Sequence, residues 1–385
     1  MDTGNRGEGV GCPQPGDKSV AVPAKSLHLL GMHQFTSLTR LTLVASAVLL
    51  NGCANQHLDR AAHIQTGESV VLAGATPANL AFAPLLSKPV AVRSTYRDGL
   101  PQTIRYEAGQ DYLLDPSGQL RRTAGSRIPD FGTNMLYGKE DFRHDQFPGF
   151  GNRAFFVYVD YEHREEWQLP LAKPPLNEIC LPNTQKKLRA GEKVRIVAFG
   201  DSITAGGEAS EAGLIFWERW AAALREKYPR ASIEASNGAT GGDTTVQGLQ
   251  RLQEKVLQQK PDLVLIGFGM NDHNREGFGV PLAAFAANLR TMIERIRTAT
   301  GAEVVLFSAF PPNPKWHFGS HNMEAYAATT ERVAREEHCA FADVYHLWMG
   351  LAERKKPEDL LANNINHPND FGHWIYFRAL TAIGL

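Results

Sequence analysis

Residues 197–208 read VAFGDSITAGGE. An apolar run that meets Gly-Asp-Ser is a strand ending in a tight turn, and the stretch asks why a serine stands there. Two answers are open from these residues alone. Ser202 caps a following helix, its hydroxyl accepting from an unpaired backbone N–H. Or Ser202 is a nucleophile, exposed at the carboxyl edge of an α/β sheet where such sites lie.

The surroundings favour a sheet. From Lys193 onward the apolar runs VRIVAF, SIEAS, DLVLIGF, EVVLFSAF and AFADVY alternate with helical stretches. The spacing predicts helices over Ala212–Lys227, Thr245–Gln259, Leu282–Thr298, Met323–His338 and Phe371–Ala382. Apolar strands that alternate strictly with helices predict a parallel sheet covered on both faces, a three-layer, doubly wound α/β fold. Upstream, from about 66 to 170, the period changes. KPVAVRSTY, QDYLLDPSGQLRRT and RAFFVYVDYEH are short β-rich runs. Asp115-Pro116-Ser117-Gly118 is a good hairpin turn, and Phe155, Val157, Val159 and Tyr161 share one face at period two. This predicts a small β-sandwich or jelly-roll-like domain over 66–170. A linker rich in proline and charge is expected over 171–192, ahead of the α/β domain at 193–385.

In such a sheet the loops after the strands gather at one edge. They hold Gly200-Asp201-Ser202, then SNGATGGDTT with Gly242, then GFGMND with Asn271, and near the C-terminus NNINHPNDFGH with His367. Acyl transfer uses that inventory. Serine needs a base to take its proton, and a histidine titrating near neutrality suits the task. The charge that forms on the carbonyl oxygen needs donors. Gly242 can bring its N–H close for want of a Cβ, Asn271 can donate from its amide, and Ser202 from its own backbone. Removing one such donor costs about 2.7–4 kcal/mol of transition-state stabilisation.

GDSIT, GGDTT, GMND and HPNDFGH, in that order, resemble the four blocks of the SGNH, or GDSL, hydrolase superfamily. The resemblance implies a flavodoxin-like fold, a nucleophile at Ser202, oxyanion donors at Ser202, Gly242 and Asn271, and a base at His367. One position departs. The family has Asp three residues before the histidine, and here that place holds Asn364. An Asp would fix the imidazole tautomer and stabilise imidazolium, whereas Asn can orient the ring without charge. Asn364 is therefore the expected third member, with a backbone carbonyl as the alternative and Asp370 and Asp359 as lesser candidates. A β-domain ahead of such a domain is similar to the architecture of carbohydrate esterase family two, which implies a carbohydrate O-acetyl esterase. A lysophospholipase or thioesterase and a non-catalytic glycan-binding protein are the other readings.

The chain has 385 residues and a net charge of −1, so no basic field points to nucleic acid. No cofactor and no metal are expected. His317 and His321 stand four apart, but PPNPKWHFGSH supplies no third ligand. In that loop Trp316 and His317 either line a cleft or simply pack. Asp201 and Asp243 sit where helical first turns would begin and read as caps; Asp272 reads as a brace for the Asn271 loop. Residues 1–52 read as a disordered leader plus a signal peptide. From Met32, a short basic region precedes the apolar Leu41–Leu50 and then Asn-Gly-Cys, a run too short to span a bilayer. Its LNGC ending resembles a lipoprotein lipobox. That resemblance implies lipidation of Cys53, a tether over 53–65, and a bacterial envelope location on the outer membrane, facing periplasm or exterior, with a lipid anchor as the only membrane contact. Cys180 and Cys339 then remain, either paired or as free thiols.

Overall fold

The computed structural model describes residues 62–165, 180–275, 277 and 279–385. The leader, the signal and Cys53 lie outside these residues, as does the first part of the expected linker, 171–179. Leu58–Leu385 forms one compact unit.

Its first part is built from seven short strands: β1 (His63–Val70), β2 (Ala78–Asn79), β3 (Ala91–Arg93), β4 (Arg105–Tyr106), β5 (Tyr112–Leu114), β6 (Gln119–Arg122) and β7 (Val157–His163). They make two antiparallel sheets, ordered β1-β7-β3-β4 and β2-β6-β5. The hairpin between β5 and β6 turns where the sequence places it, with the Asp115 carboxylate accepting from the backbone of Ser117 and Gln119. Along β7 the alternate residues Val157, Val159, Tyr161 and His163 are buried.

The second part contains helix α1 (Pro182–Ala190) and then strands β8 (Lys193–Gly200), β9 (Ser232–Asn237), β10 (Leu263–Gly267), β11 (Glu303–Phe307) and β12 (Ala340–Ala342). All pairings among these five are parallel, in the order β9-β8-β10-β11-β12. Helices α2 (Phe216–Lys227), α3 (Thr245–Lys255), α4 (Leu282–Thr300), α5 (Met323–Glu336), α6 (Val344–Ala352), α7 (Pro357–Leu360) and α8 (Asp370–Thr381) connect or follow them. Helix α2 packs on α8, α3 on α4, and α4 on α5. The strands read as apolar runs because they are buried on both faces: every residue of β10 is buried. The order reverses between β8 and β10, and the crevice beyond their carboxyl ends is the switch point where ligands bind in such sheets. Among the described residues no helix is long and apolar enough to cross a membrane.

Two expectations are corrected. The segment ending at 192 is not all linker. Pro182–Ala190 is a helix with Pro at its start and Gly191 closing it in the left-handed region at φ 77°. Proline breaks a helix interior but suits its first turn, and Leu188 of α1 is buried in the core. Nor does the β-rich segment stand apart. Val70, Leu72, Leu80 and Val159 belong to the same continuous core as the parallel sheet. Polar groups lock the two parts as well. Lys355 Nζ, between α6 and α7, meets Glu68 Oε1 at 2.8 Å, with both side chains at 0% exposure. It also donates to the Ser69 and Asn79 carbonyls. The other Glu68 oxygen accepts from Tyr161 Oη at 2.5 Å. The Asp359 carboxylate accepts from Val71 N, and Ser69 Oγ donates to the Asp359 carbonyl.

Candidate active site

At the end of β8 the chain turns at once. Asp201, buried, accepts from Ile203 N, and Gly207 N closes back on the Ser202 carbonyl at 2.8 Å. The next helix does not begin until Phe216, after a short 3-10 turn at Ala212–Leu214. Ser202 is therefore no helix cap. Its Oγ lies 2.8 Å from His367 Nε2, in a hydrogen bond that joins residues 165 positions apart.

His367 sits just before α8. The Asn363 carboxamide oxygen accepts from the backbone N–H groups of Ile365, Asn366 and His367, which fixes the loop. Burial pulls the His367 imidazole below its ordinary value, and the nearby Glu208 carboxylate opposes that shift. Under the ring runs the Ser202 loop itself. A Cβ placed on Gly207 would lie 3.2 Å from His367 Nδ1 and 2.8 Å from the Ser202 carbonyl oxygen, so only glycine fits there. His373, one turn into α8, reaches the Gly207 carbonyl at 3.2 Å. Burial holds its pKa down to about 3, so the ring is neutral and Nε2 donates.

The second and third loops flank Ser202. After β9, Gly238 N and Thr240 N bond to the carbonyls of Ala198 and Gly200, which carries this loop alongside β8. Gly242 is in the left-handed region at φ 80°, and a Cβ on its neighbour Gly241 would sit 3.8 Å from Ser202 Cβ. After β10, Asn271 Nδ2 donates to the Asp243 carbonyl at 2.9 Å. An amide carries two hydrogens, so the bond that ties the two loops together uses only one. Asp272 braces both. One oxygen accepts from Thr245 N and Oγ1, the other from Gly269 N, and burial lifts its carboxyl to about 6. Burial raises Asp201 to about 7.

Asn364 does not do what its place in the sequence suggests. It is buried and left-handed at φ 58°, and its Oδ1 accepts from Asn152 Nδ2 at 3.1 Å and Asn313 Nδ2 at 3.4 Å. The oxygen is thus engaged by amides, and among the described residues no hydrogen bond joins it to the His367 ring. The lesser candidates are engaged too. Asp370 accepts from Ser210 N at 2.8 Å, and Asp359 holds Val71 and Lys356. Asp243 is not a cap either: it pairs with Arg251, and Thr244 caps α3.

Sequence reasoning missed two residues here. Glu208 closes the turn that Ser202 opens, with φ 67°, and Arg153 Nη2 from the β-rich part grips both its carbonyl (3.0 Å) and its carboxylate (2.9 Å). The positive φ and a partner 55 positions away leave no local trace in the sequence. Trp316 packs rather than lining an open cleft. It is buried with Leu136, Phe142 and Ile365, and its Nε1 donates to His144. His317 bonds Asp141, and His321 is exposed. Cys180 and Cys339 are free thiols, and burial raises Cys339 to about 12.

A serine bonded to a partly desolvated imidazole, beside two loops that offer a glycine N–H and an amide, is a serine-hydrolase arrangement. Residues 198–375 match the GDSL-like lipase/acylhydrolase family, and the chain belongs to that family. It is an ester-hydrolysing enzyme by that membership. Esterase TesA of Pseudomonas aeruginosa is 31% identical over 153 residues, 39% of this chain and 70% of the relative. An acetylxylan esterase of Geobacillus stearothermophilus is 25% identical over 50% of this chain and 94% of its own length. The solved structure of a variant acetyl-xylooligosaccharide esterase from Geobacillus superposes with a TM-score of 0.44 at 25% identity, covering 50% of this chain and 94% of that one.

Proposed function

We propose that this chain is a serine esterase that removes acetyl groups from a carbohydrate through an acyl-enzyme. The observation that carries the chemistry is the 2.8 Å contact between Ser202 Oγ and His367 Nε2 at the switch point of the sheet. Ser202 attacks the ester carbonyl while His367 takes its proton. The oxyanion is met by N–H groups of Ser202 and Gly242 and by the second amide hydrogen of Asn271. His367, then imidazolium, returns the proton to the leaving alcohol, and water repeats the sequence to free acetate. The acetylated-sugar reading is supported by the acetylxylan esterase, which this chain matches over 94% of that relative's length, and by the β-rich part fused ahead of the catalytic sheet.

The test is a panel of p-nitrophenyl acetate, butyrate and palmitate beside acetylated xylan. Acetate release from xylan, with loss of rate as the acyl chain lengthens, is the expected result; preference for palmitate would move the substrate to lipids. A fluorophosphonate probe should label Ser202, and Ser202→Ala should lose both labelling and turnover. Absence of both in the wild type would end the hydrolase reading. We further propose that Cys53 is lipidated and anchors the enzyme in a bacterial envelope. Intact-mass analysis from the native host would show a diacyl or triacyl adduct on an N-terminal Cys53, and a chain retaining residues before it would refute the anchor.

A further inference from the structure

The base has lost the acid that usually stands three residues before it, yet a carboxylate still lies beside it. It belongs to the residue that ends the nucleophile's own turn. The Nδ1 edge of His367 faces Gly207, close enough that a Cβ there would approach to 3.2 Å. Glu208 is the next residue. Its backbone is held left-handed at φ 67°, a conformation that costs a non-glycine residue energy unless the surroundings impose it. What imposes it is Arg153, whose single nitrogen Nη2 binds the Glu208 carbonyl and carboxylate together. Arg153 is itself placed by its neighbour Asn152. The Asn152 amide donates to the Leu361 carbonyl and to Asn364 Oδ1, in the loop that carries His367.

We propose that Glu208, clamped by Arg153, is the positioning residue for His367. Without bonding the ring, it acts through its charge and stabilises the imidazolium that forms during acyl transfer. This rests on the serine-esterase reading above. Of the charged and titratable groups around the ring, Asp370 on α8 is engaged with Ser210. His373, also on α8, is buried and neutral with its proton given to Gly207. Glu208 is the group whose charge favours protonated His367, and Arg153 tempers it. The pair thus sets the basicity of the catalytic histidine from the β-rich part of the chain.

The two charges have opposite signs, so their removal should move the pH profile in opposite directions. Glu208→Gln takes away the negative charge: the acid limb of kcat/KM should shift to lower pH, with kcat down at least tenfold. Arg153→Met leaves the carboxylate untempered: the limb should shift to higher pH with a smaller loss of kcat. Glu208→Asp should recover part of the Gln variant's lost rate. A purely structural clamp would lower rate or stability in both variants without moving the limb in opposite senses. The same shifts should appear without turnover, in the NMR titration of the His367 imidazole in a Ser202→Ala background. Limbs unmoved, or moved the same way, in variants that remain labelled by the fluorophosphonate overturn the proposal and leave the esterase reading standing. If wild type itself neither reacts with the probe nor cleaves esters, it is the esterase reading that fails, and the Ser202→Ala titration still decides for or against Glu208.

Discussion

Replacing Asn364 by alanine separates two roles that a family pattern runs together. Were this residue the orienter of His367, its loss would cut kcat with little effect on folding. The structure predicts the reverse. Alanine in the left-handed region costs about 1–2 kcal/mol, a conformation asparagine tolerates better. The 3.1 Å bond from Asn152 and the weaker 3.4 Å bond from Asn313 are lost. Both donors keep another acceptor: Asn152 Nδ2 still reaches the Leu361 carbonyl at 2.9 Å and Asn313 Nδ2 the residue 364 carbonyl at 3.0 Å. Neither amide is then stranded, and the loss stays near the net worth of one ordinary bond, about 1 kcal/mol. The total is about 2–3 kcal/mol. Urea denaturation should show it, and Asn364→Gly should regain about 1 kcal/mol of it by relieving the backbone. Active sites titrated with a fluorophosphonate should turn over within about threefold of wild type, judging that a loop still held by Asn363 keeps His367 in place. Asn364→Asp should bring no gain, because a buried carboxylate facing two amides has no cation to balance it. A tenfold fall in kcat at unchanged stability in Asn364→Ala would refute this reasoning and restore the side chain to the machinery.

Three further outcomes follow from the geometry. Lys355→Met should cost about 3–5 kcal/mol by leaving Glu68 buried and unpaired, and the double variant with Glu68→Gln should recover part of it; a loss below 1 kcal/mol by urea titration would contradict the burial seen here. Gly207→Ala must push the Ser202 carbonyl or the His367 ring aside, and a shift of this kind lowers kcat by about a hundredfold, so a wild-type rate would mean that the loop gives way freely. Burial depresses the His367 pKa, so the neutral, proton-accepting ring persists below its ordinary titration range; the acid limb of kcat/KM should fall below pH 6.5, the unperturbed imidazole value, and a limb above it would show that the charge of Glu208 outweighs desolvation.

The legible parts of this molecule are those where one physical requirement writes directly into the chain. Strands buried on both faces must be apolar along their whole length, and so VRIVAF and DLVLIGF stood out. The loops after them gather at one edge by topology alone, and so Ser202, Gly242, Asn271 and His367 could be named as a set. A spacing of three residues from His367 does not reveal that the Asn364 oxygen is taken up by the distant amides of Asn152 and Asn313. Helix α1 was missed because its proline serves at a helix start as well as in a linker. Glu208 and Arg153 were illegible for a different reason: each is an ordinary surface-type residue until the fold brings them together. The continuity of the core between the two parts has the same origin, since Val70 and Leu72 look no different whether their neighbours are local or three hundred residues away.

The stretch matched by the family, residues 198–375, contains the proposed nucleophile and base but not what holds them. Asn152, Arg153 and Glu68 all lie upstream of it, and each grips a residue within it: Asn152 holds the loop of the base, Arg153 the end of the nucleophile's turn, and Glu68 the lysine at the root of α7. An excised catalytic half would keep every motif and lose its tension members. It would also bare the apolar wall that Val70, Leu72 and Val159 now cover, and a newly bared wall of that kind invites aggregation. Moving this parallel sheet onto another partner, or trading its β-rich part for a different one, would therefore mean transplanting the seam along with it.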